Sequence, residues 1–500
     1  MSKRYLQNPF YKTSEELLLK YLDEEDGVCK IKQSSQKEIL YSLNEALKEI
    51  TSNVKPSLGA DDYSVYSGLA GISYTFLKIF LNDRAFRFQN QSALTWALKY
   101  IEASTDMIKA NGIKKNAGGF LGTQTGCLSL ASVIYSYTLE HERAFEYVNL
   151  IFDSVNRGIV KPNITSEELL YGKAGIIYSL LFIYRNFFNI SQHLKANIGF
   201  LTKNIAESII KEGKKHSTTL PDSSFAPSLW FWHGKAYLGA AHGVAGILAV
   251  LLQIPKRYWP DNLSEFILES LNFLSSQIKG GKLKATTQSS NDDLVQFCHG
   301  PSGITHLLTL AASKSSNDRE SIVEVAKTCV DTVWQKGILK KGVGLCHGIS
   351  GNAYACLDLF KLTREKQYLV QTLYFSERCM SWKQETLNGK LRLPDAPYSL
   401  MEGLCGAVCL WNDLLWLEKR YHGFLFKDSS KAFSFDSSSR RYWLILNPDA
   451  TESPVVEYTA VEYTGEEDEY GVDEYNEIIL CREHTGVKVR SGTSVKTDSL

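Results

Sequence analysis

Two kinds of hydrophobic pattern alternate along most of this chain. In the first, nearly every position is apolar, as in Leu69 to Leu81 (LAGISYTFLKIFL) and Lys173 to Tyr184 (KAGIIYSLLFIY). Runs of this kind predict helices surrounded by other helices. In the second, only one face is apolar: Lys37 to Ile50 carries Ile39, Leu40, Leu43 and Leu47 among polar residues, the stripe of a helix that packs on one side. Each all-apolar run follows a short glycine-centred motif. The motifs are Tyr66-Ser-Gly-Leu-Ala-Gly-Ile, Phe120-Leu-Gly-Thr-Gln-Thr-Gly, Leu170-Tyr-Gly-Lys-Ala-Gly-Ile, Ala241-His-Gly-Val-Ala-Gly-Ile, Cys298-His-Gly-Pro-Ser-Gly-Ile, Cys346-His-Gly-Ile-Ser-Gly-Asn and Met401-Glu-Gly-Leu-Cys-Gly-Ala. Their markers, Gly68, Thr123, Gly172, Gly243, Gly300, Gly348 and Gly403, are about 48 to 71 residues apart, a period typical of stacked or closed repeat arrays. One period accommodates two helices and their loops. The pattern predicts an all-α fold, an (α/α)7 toroid with an inner ring of all-apolar helices inside an outer ring of amphipathic ones. Small residues at each inner-helix start let the helices converge, so that free backbone N–H groups and positive dipole ends face a shared pocket. Most of the glycines serve that packing alone.

Two stretches stand outside the array. The polar, proline-containing segment from Lys214 to Ser228 reads as a rim loop. From about Asp436 the composition changes: between Tyr442 and Cys481 there is no Lys or Arg but eleven Asp or Glu, with Val456-Glu-Tyr-Thr-Ala and Val461-Glu-Tyr-Thr-Gly forming a small repeat. The expected organisation is a toroid over 1–435 and an acidic, disordered tail over 436–500. Over the whole chain 55 Lys and Arg balance 55 Asp and Glu, so no global field favours nucleic acid or an anionic membrane. The apolar runs are too short to span a bilayer. With no signal peptide legible and the ten cysteines scattered through apolar stretches, a reducing compartment is expected. The location is read as cytoplasmic, extending to the periphery of the plasma membrane.

Two motifs carry more than packing requires. Cys298-His299-Gly300 and Cys346-His347-Gly348 place a thiol and an imidazole just before adjacent inner helices. Helix N-termini favour thiolate, the form that binds metal. Two Cys and one His form a soft three-ligand set that suits Zn²⁺ with a fourth position open, the catalytic pattern. By spacing alone, either His299 or His347 supplies the nitrogen. His242 precedes its own inner helix and so faces the same pocket, where it is the candidate general acid.

At these residues the chain resembles the LanC-like family, the eukaryotic relatives of bacterial lanthionine synthetase C cyclases. The resemblance covers roughly residues 4 to 435. It rests on Arg4 with Asn8-Pro9-Phe10, Gly239-Ala-Ala-His-Gly-Val-Ala-Gly246, Phe297-Cys-His-Gly300, Lys341-Gly-Val-Gly-Leu-Cys-His-Gly348 and Arg392-Leu-Pro-Asp-Ala-Pro-Tyr-Ser-Leu-Met-Glu-Gly403. It implies the seven-hairpin toroid and zinc ligands at Cys298, Cys346 and His347. It also implies addition of the glutathione thiol to dehydroalanine or dehydrobutyrine in proteins, the residues left when phosphoserine and phosphothreonine lose phosphate. Arg4, Lys341 and Arg392 would then surround glutathione and join His242 in catalysis. Zinc, glutathione and dehydroamino-acid-containing or phosphorylated proteins are the expected cofactor and partners; nucleic acid is not. Phe297 stands where eukaryotic members usually have Trp, and the second repeat lacks the usual Cys-Gly-Asp-Ala-Gly form, with Cys127 just beyond it read as core. Glu167-Glu-Leu-Leu-Tyr171 offers no counterpart to the bacterial aspartate, and Glu402 reads as a helix-start carboxylate. A glutathione- and zinc-binding scaffold without turnover is the alternative, and a zinc toroid of the prenyltransferase type is a more distant one.

Overall fold

The computed structural model describes residues 4–420, apart from 14, 26–27, 58–61, 113–117, 161–165, 218–225, 290–292 and 316. The acidic segment 436–500, and with it the expected tail, lies outside the described residues. In chain order the helices are α1 (Glu15–Tyr21), α2 (Gln33–Asn53), α3 (Leu69–Asn82), α4 (Ala93–Ala110), α5 (Gln124–Tyr137), α6 (His141–Val160), α7 (Lys173–Asn186) and α8 (Gln192–Ser217). They continue with α9 (Val244–Leu251), α10 (Leu263–Ser276), α11 (Pro301–Lys314), α12 (Arg319–Lys336), α13 (Ile349–Thr363), α14 (Lys366–Met380), α15 (Trp382–Leu387) and α16 (Leu404–Arg420). Short antiparallel hairpins decorate the connections: β1 (Leu22–Glu25) with β2 (Val28–Ile31), β3 (Arg87–Phe88) with β4 (Gln91–Ser92), β5 (Phe231–Trp232) with β6 (Lys235–Ala236), and β7 (Ile278–Lys279) with β8 (Lys282–Leu283).

Among the described residues, the helices that follow the seven motifs are α3, α5, α7, α9, α11, α13 and α16. Each packs on the next, and α16 packs on α3, so the inner ring closes. Six outer helices follow their inner partners in sequence. The seventh does not: α2, near the start of the chain, packs on α16, so the two ends of the array clasp each other. In α2 the buried face is Ile39, Leu43, Leu47 and Ile50. Leu40 falls off that face and is 43% exposed.

A circle of backbone hydrogen bonds joins the starts of the inner helices. Tyr66 N–H donates to Leu121, Gly122 to Leu170, Leu169 to Ala241, Ala241 to Cys298, Cys298 to Cys346, Cys346 to Met401 and Met401 back to Tyr66. These bonds run through or beside the residue two before each marker. The last glycine of each motif is what allows so close an approach. A Cβ at Gly126 would lie 1.7 Å from the Phe120 carbonyl oxygen, and one at Gly246 1.9 Å from that of Ala240, far inside contact distance. The residue just before each marker is left partly or fully exposed: Ser67, Gly122, Tyr171, His242, His299, His347 and Glu402. One register therefore knits the ring, and the next points its side chains into the mouth.

The expected rim loop begins later than its composition suggests. Lys214 to Ser217 form the last turn of α8, because Gly213 leaves room for the Trp230 ring, whose Nε1 donates to the Ile209 carbonyl at 2.9 Å.

Candidate functional site

The loops before α11 and α13 bring Cys298, Cys346 and His347 together. Their backbones join through Cys298 N–H to Cys346 C=O at 3.2 Å, and the three ligand atoms lie within 4.8 Å of one another. The Cys346 thiol donates to Cys298 sulfur, which lowers the Cys298 pKa; Gln296 Nε2 at 3.1 Å, the Lys341 charge and the His299 N–H push it the same way. The Cys346 thiol is held high by that same donated bond and by burial, with His347 opposing. Two buried sulfurs and one imidazole are a donor set that fits zinc. His299, the other nitrogen that spacing allowed, is outside the three-ligand group; burial, then the nearby His242, His347 and Lys341, lower its pKa to about 4. Gly300 has φ +127°, and Pro301 opens α11 at a position where its missing N–H costs nothing.

Two further groups reach the cluster. The Tyr66 hydroxyl hydrogen-bonds to Cys346, and burial raises its pKa far above that of an ordinary phenol. Glu402 Oε1 lies 3.9 Å from His347 Nε2, so this helix-start carboxylate faces the cluster.

Beside His347 lies a cavity of about 640 Å³ lined by Arg4, Lys340, Lys341, Arg392, Gln296 and Asp293 among others. Three distant segments assemble it. Tyr5 bridges Leu339, Lys340 N–H donates to Arg4 C=O at 3.0 Å, and Arg392 N–H donates to Lys340 C=O at 2.7 Å. The segment that carries Arg4 is anchored by Asn8, whose amide donates to the Trp334 carbonyl at 2.8 Å, and by Phe10, edge-on to Tyr374 at 5.2 Å. Among the described residues, Arg4, Lys341 and Arg392 form no ion pair with a carboxylate.

His242 lies outside that cavity lining, on the next loop around the ring. Its Nδ1 is 2.8 Å from Glu168 Oε2, and its ring is 6.2 Å from that of His299. Glu168 is buried and also accepts the N–H groups of Leu170 at 2.8 Å and Tyr171 at 2.7 Å. The third repeat therefore does supply a carboxylate, a glutamate four residues before Gly172. The Trp232 ring stacks on His242 at 5.3 Å and 7°. Glu168, Tyr66, Trp232, Gln296 and Lys340 escaped the sequence reading. The exposed register before each marker would have flagged the mouth as a whole, and the His233-Gly234 dipeptide signals the β5–β6 turn. Cys127 is buried, with its pKa raised by burial, as expected of a core thiol.

Comparison with known proteins bears on the family and the fold. The family model described as lanthionine synthetase C-like protein matches residues 59–426. Glutathione S-transferase LANCL1 of Danio rerio is 30% identical over 355 residues, covering 71% of this chain and 82% of its own. LanC-like protein GCL1 of Arabidopsis thaliana is 29% identical over 371 residues, covering 71% of this chain and 79% of its own. Among solved structures, nisin cyclase superposes with a TM-score of 0.54 at 16% identity, covering 78% of this chain and 99% of that one; this is a likeness of fold. The closed ring of seven motif-led helices and the match over most of its length make this chain a member of the lanthionine synthetase C-like family.

Proposed function

We propose that this protein is a zinc-dependent glutathione transferase that adds the glutathione thiol to dehydroalanine or dehydrobutyrine residues of proteins. The reading is carried by one juxtaposition: the Cys298, Cys346 and His347 cluster adjoins a cavity whose cations Arg4, Lys341 and Arg392 lack carboxylate partners among the described residues. The name of the Danio rerio relative supports the transferase class. Cys298, Cys346 and His347 would hold zinc, which when bound would supply Lewis acidity that keeps an incoming thiol deprotonated near neutral pH.

Arg4, Lys341 and Arg392 neutralise the carboxylates of glutathione or the phosphate of the partner substrate, and guanidinium forks suit both. The sulfur bonds the β-carbon of the dehydroamino acid, the alkene electron pair moves to the α-carbon, and a proton from His242 closes the addition. Glu168 keeps Nδ1 of that ring engaged and leaves Nε2 for the substrate. The proton released to water by the thiol equals the one that His242 gives and later regains. The nine described cysteines are buried, which suits an enzyme acting on proteins of the cytoplasm; no described helix is long and apolar enough to cross a membrane.

Mass spectrometry of a dehydroalanine peptide incubated with the pure protein and glutathione tests the reading. A peptide carrying one glutathione through a thioether supports it. Retained zinc and glutathione binding without product would favour the scaffold instead.

A further inference from the structure

The hydrogen bond between His242 Nδ1 and Glu168 fixes one atom of the imidazole, and with it the tautomer, but not the ring plane. A ring free to turn about that bond would sweep Nε2 through an arc. The plane is set by an aromatic stack. Trp232 lies parallel to His242 at 5.3 Å and 7°, and Tyr171 lies parallel to Trp232 at 5.6 Å and 9°. Tyr237 approaches the His242 ring at 5.8 Å and 57°.

The stack is built in from several directions. Tyr171 N–H donates to Glu168 at 2.7 Å, so the carboxylate that holds His242 also holds the backbone of Tyr171. Its ring covers Gly122, where a Cβ would stand 2.2 Å from Tyr171 Cε1; only a glycine lets it lie flat. Trp232 is carried by the β5–β6 hairpin, whose turn residues His233 and Gly234 have φ +46° and +72°, the geometry of a tight primed turn. Buried Trp230 on one side of the hairpin and the Thr287 N–H to Ala236 C=O bond at 3.0 Å on the other hold it in place.

We infer that Trp232 is a positioning residue for His242: its stacked face sets the ring plane and hence the direction of Nε2, with Tyr171 stacked on the same indole, while Glu168 sets the tautomer. The indole face also accommodates the imidazolium that exists before the proton is given. This role rests on the proposed reading of His242 as proton donor. Trp232 need touch no substrate.

The test is steady-state kinetics of Trp232→Leu, Trp232→Phe and His242→Ala with glutathione and a dehydroalanine peptide, with zinc content measured alongside. Loss of the stacking face should lower kcat about ten- to a hundredfold, the scale expected when a catalytic group is misdirected by about an ångström. The KM for glutathione and the zinc content should stay near wild type, and Trp232→Phe, which keeps a flat face, should recover most of the rate. Wild-type kcat in Trp232→Leu beside a strongly impaired His242→Ala would overturn the positioning role and leave the proposed function standing. Wild-type kcat in both would overturn His242 as the donor. If Trp232→Leu loses zinc or fails to fold, Trp232→Phe decides alone: a rate near wild type supports the role, and a zinc-loaded Phe variant as slow as His242→Ala overturns it.

Discussion

His242 with Glu168 and His306 with Asp358 are both imidazole–carboxylate pairs in the same ring of helices, yet they do different work. The first sits in the mouth, with the His242 side chain 19% exposed and stacked on Trp232. The second lies inside the ring, between α11 and α13, with His306 Nδ1 3.3 Å from Asp358 Oδ2. There burial, then the Lys361 charge, lower the His306 pKa to about 3, so it stays neutral. Its neighbours answer one another: Lys361 lies 3.8 Å from Asp358, Lys78 2.8 Å from Asp413, and the Tyr354 hydroxyl donates to Asp413 at 2.7 Å. This interior network joins α3, α13 and α16 across the seam where the ring closes. At the mouth, by contrast, Arg4, Lys341 and Arg392 line a cavity without carboxylate partners among the described residues. The cysteines differ in what shifts them. Burial raises Cys379 and Cys405 to about 12, whereas in the cluster the bond that Cys346 donates lowers Cys298 and holds Cys346 itself high. Residue type does not mark a site in this fold; charge and hydrogen-bonding capacity left for a ligand do.

Exchanging the two histidines' fates is the strongest way to break this contrast. His242→Ala should slow addition to a dehydroalanine peptide by about 10²–10⁴-fold with near-normal zinc. His306→Ala should keep its turnover and instead lose stability, by about 1–3 kcal/mol in denaturant titration. Equal kinetic losses in the two variants would erase the distinction.

Next in size is the seam. Asp413→Ala leaves the buried Lys78 charge unanswered and should cost about 3–5 kcal/mol of stability, with the activity of the folded fraction unchanged. A melting temperature equal to wild type would show that the interior network is dispensable. Arg392→Ala should do the reverse, leaving stability alone and weakening glutathione binding or turnover roughly tenfold or more. Isothermal titration with glutathione, combined with the peptide assay, reads it. The smallest effect is expected for deletion of 436–500: folding, zinc content and turnover should all survive, since the ring closes on helices that end by Arg420. An insoluble or zinc-free truncation would move the domain boundary.

The seven-hairpin ring was legible because its signal is local: each motif and the run behind it lie within a few turns of helix. The pairing of α2 with α16 was not, since nothing periodic links residues so far apart in sequence. The cation cavity has the same character. Arg4, Lys340 and Arg392 meet through backbone pairing of three remote segments, and only the family resemblance singled out Arg4 and Arg392. Glu168 is not legible from the family resemblance, because the counterpart that the resemblance implies is an aspartate. A longer side chain placed four residues before its marker reaches His242 equally well. Leu40 belongs to the apolar pattern of α2 but not to its buried face, because α2 buries a narrower stripe than its composition suggests.

The central claim, that the mouth does thioether chemistry through its Cys and His cluster, is tested most directly by comparing wild type with Cys346→Ala. Zinc content by elemental analysis and the mass of a dehydroalanine peptide after incubation with glutathione are read on the same samples. Wild type should carry one zinc and convert the peptide to its glutathione thioether, whereas Cys346→Ala should lose most of both the metal and the product. Equal zinc in the two proteins, or equal product from them, would contradict the account.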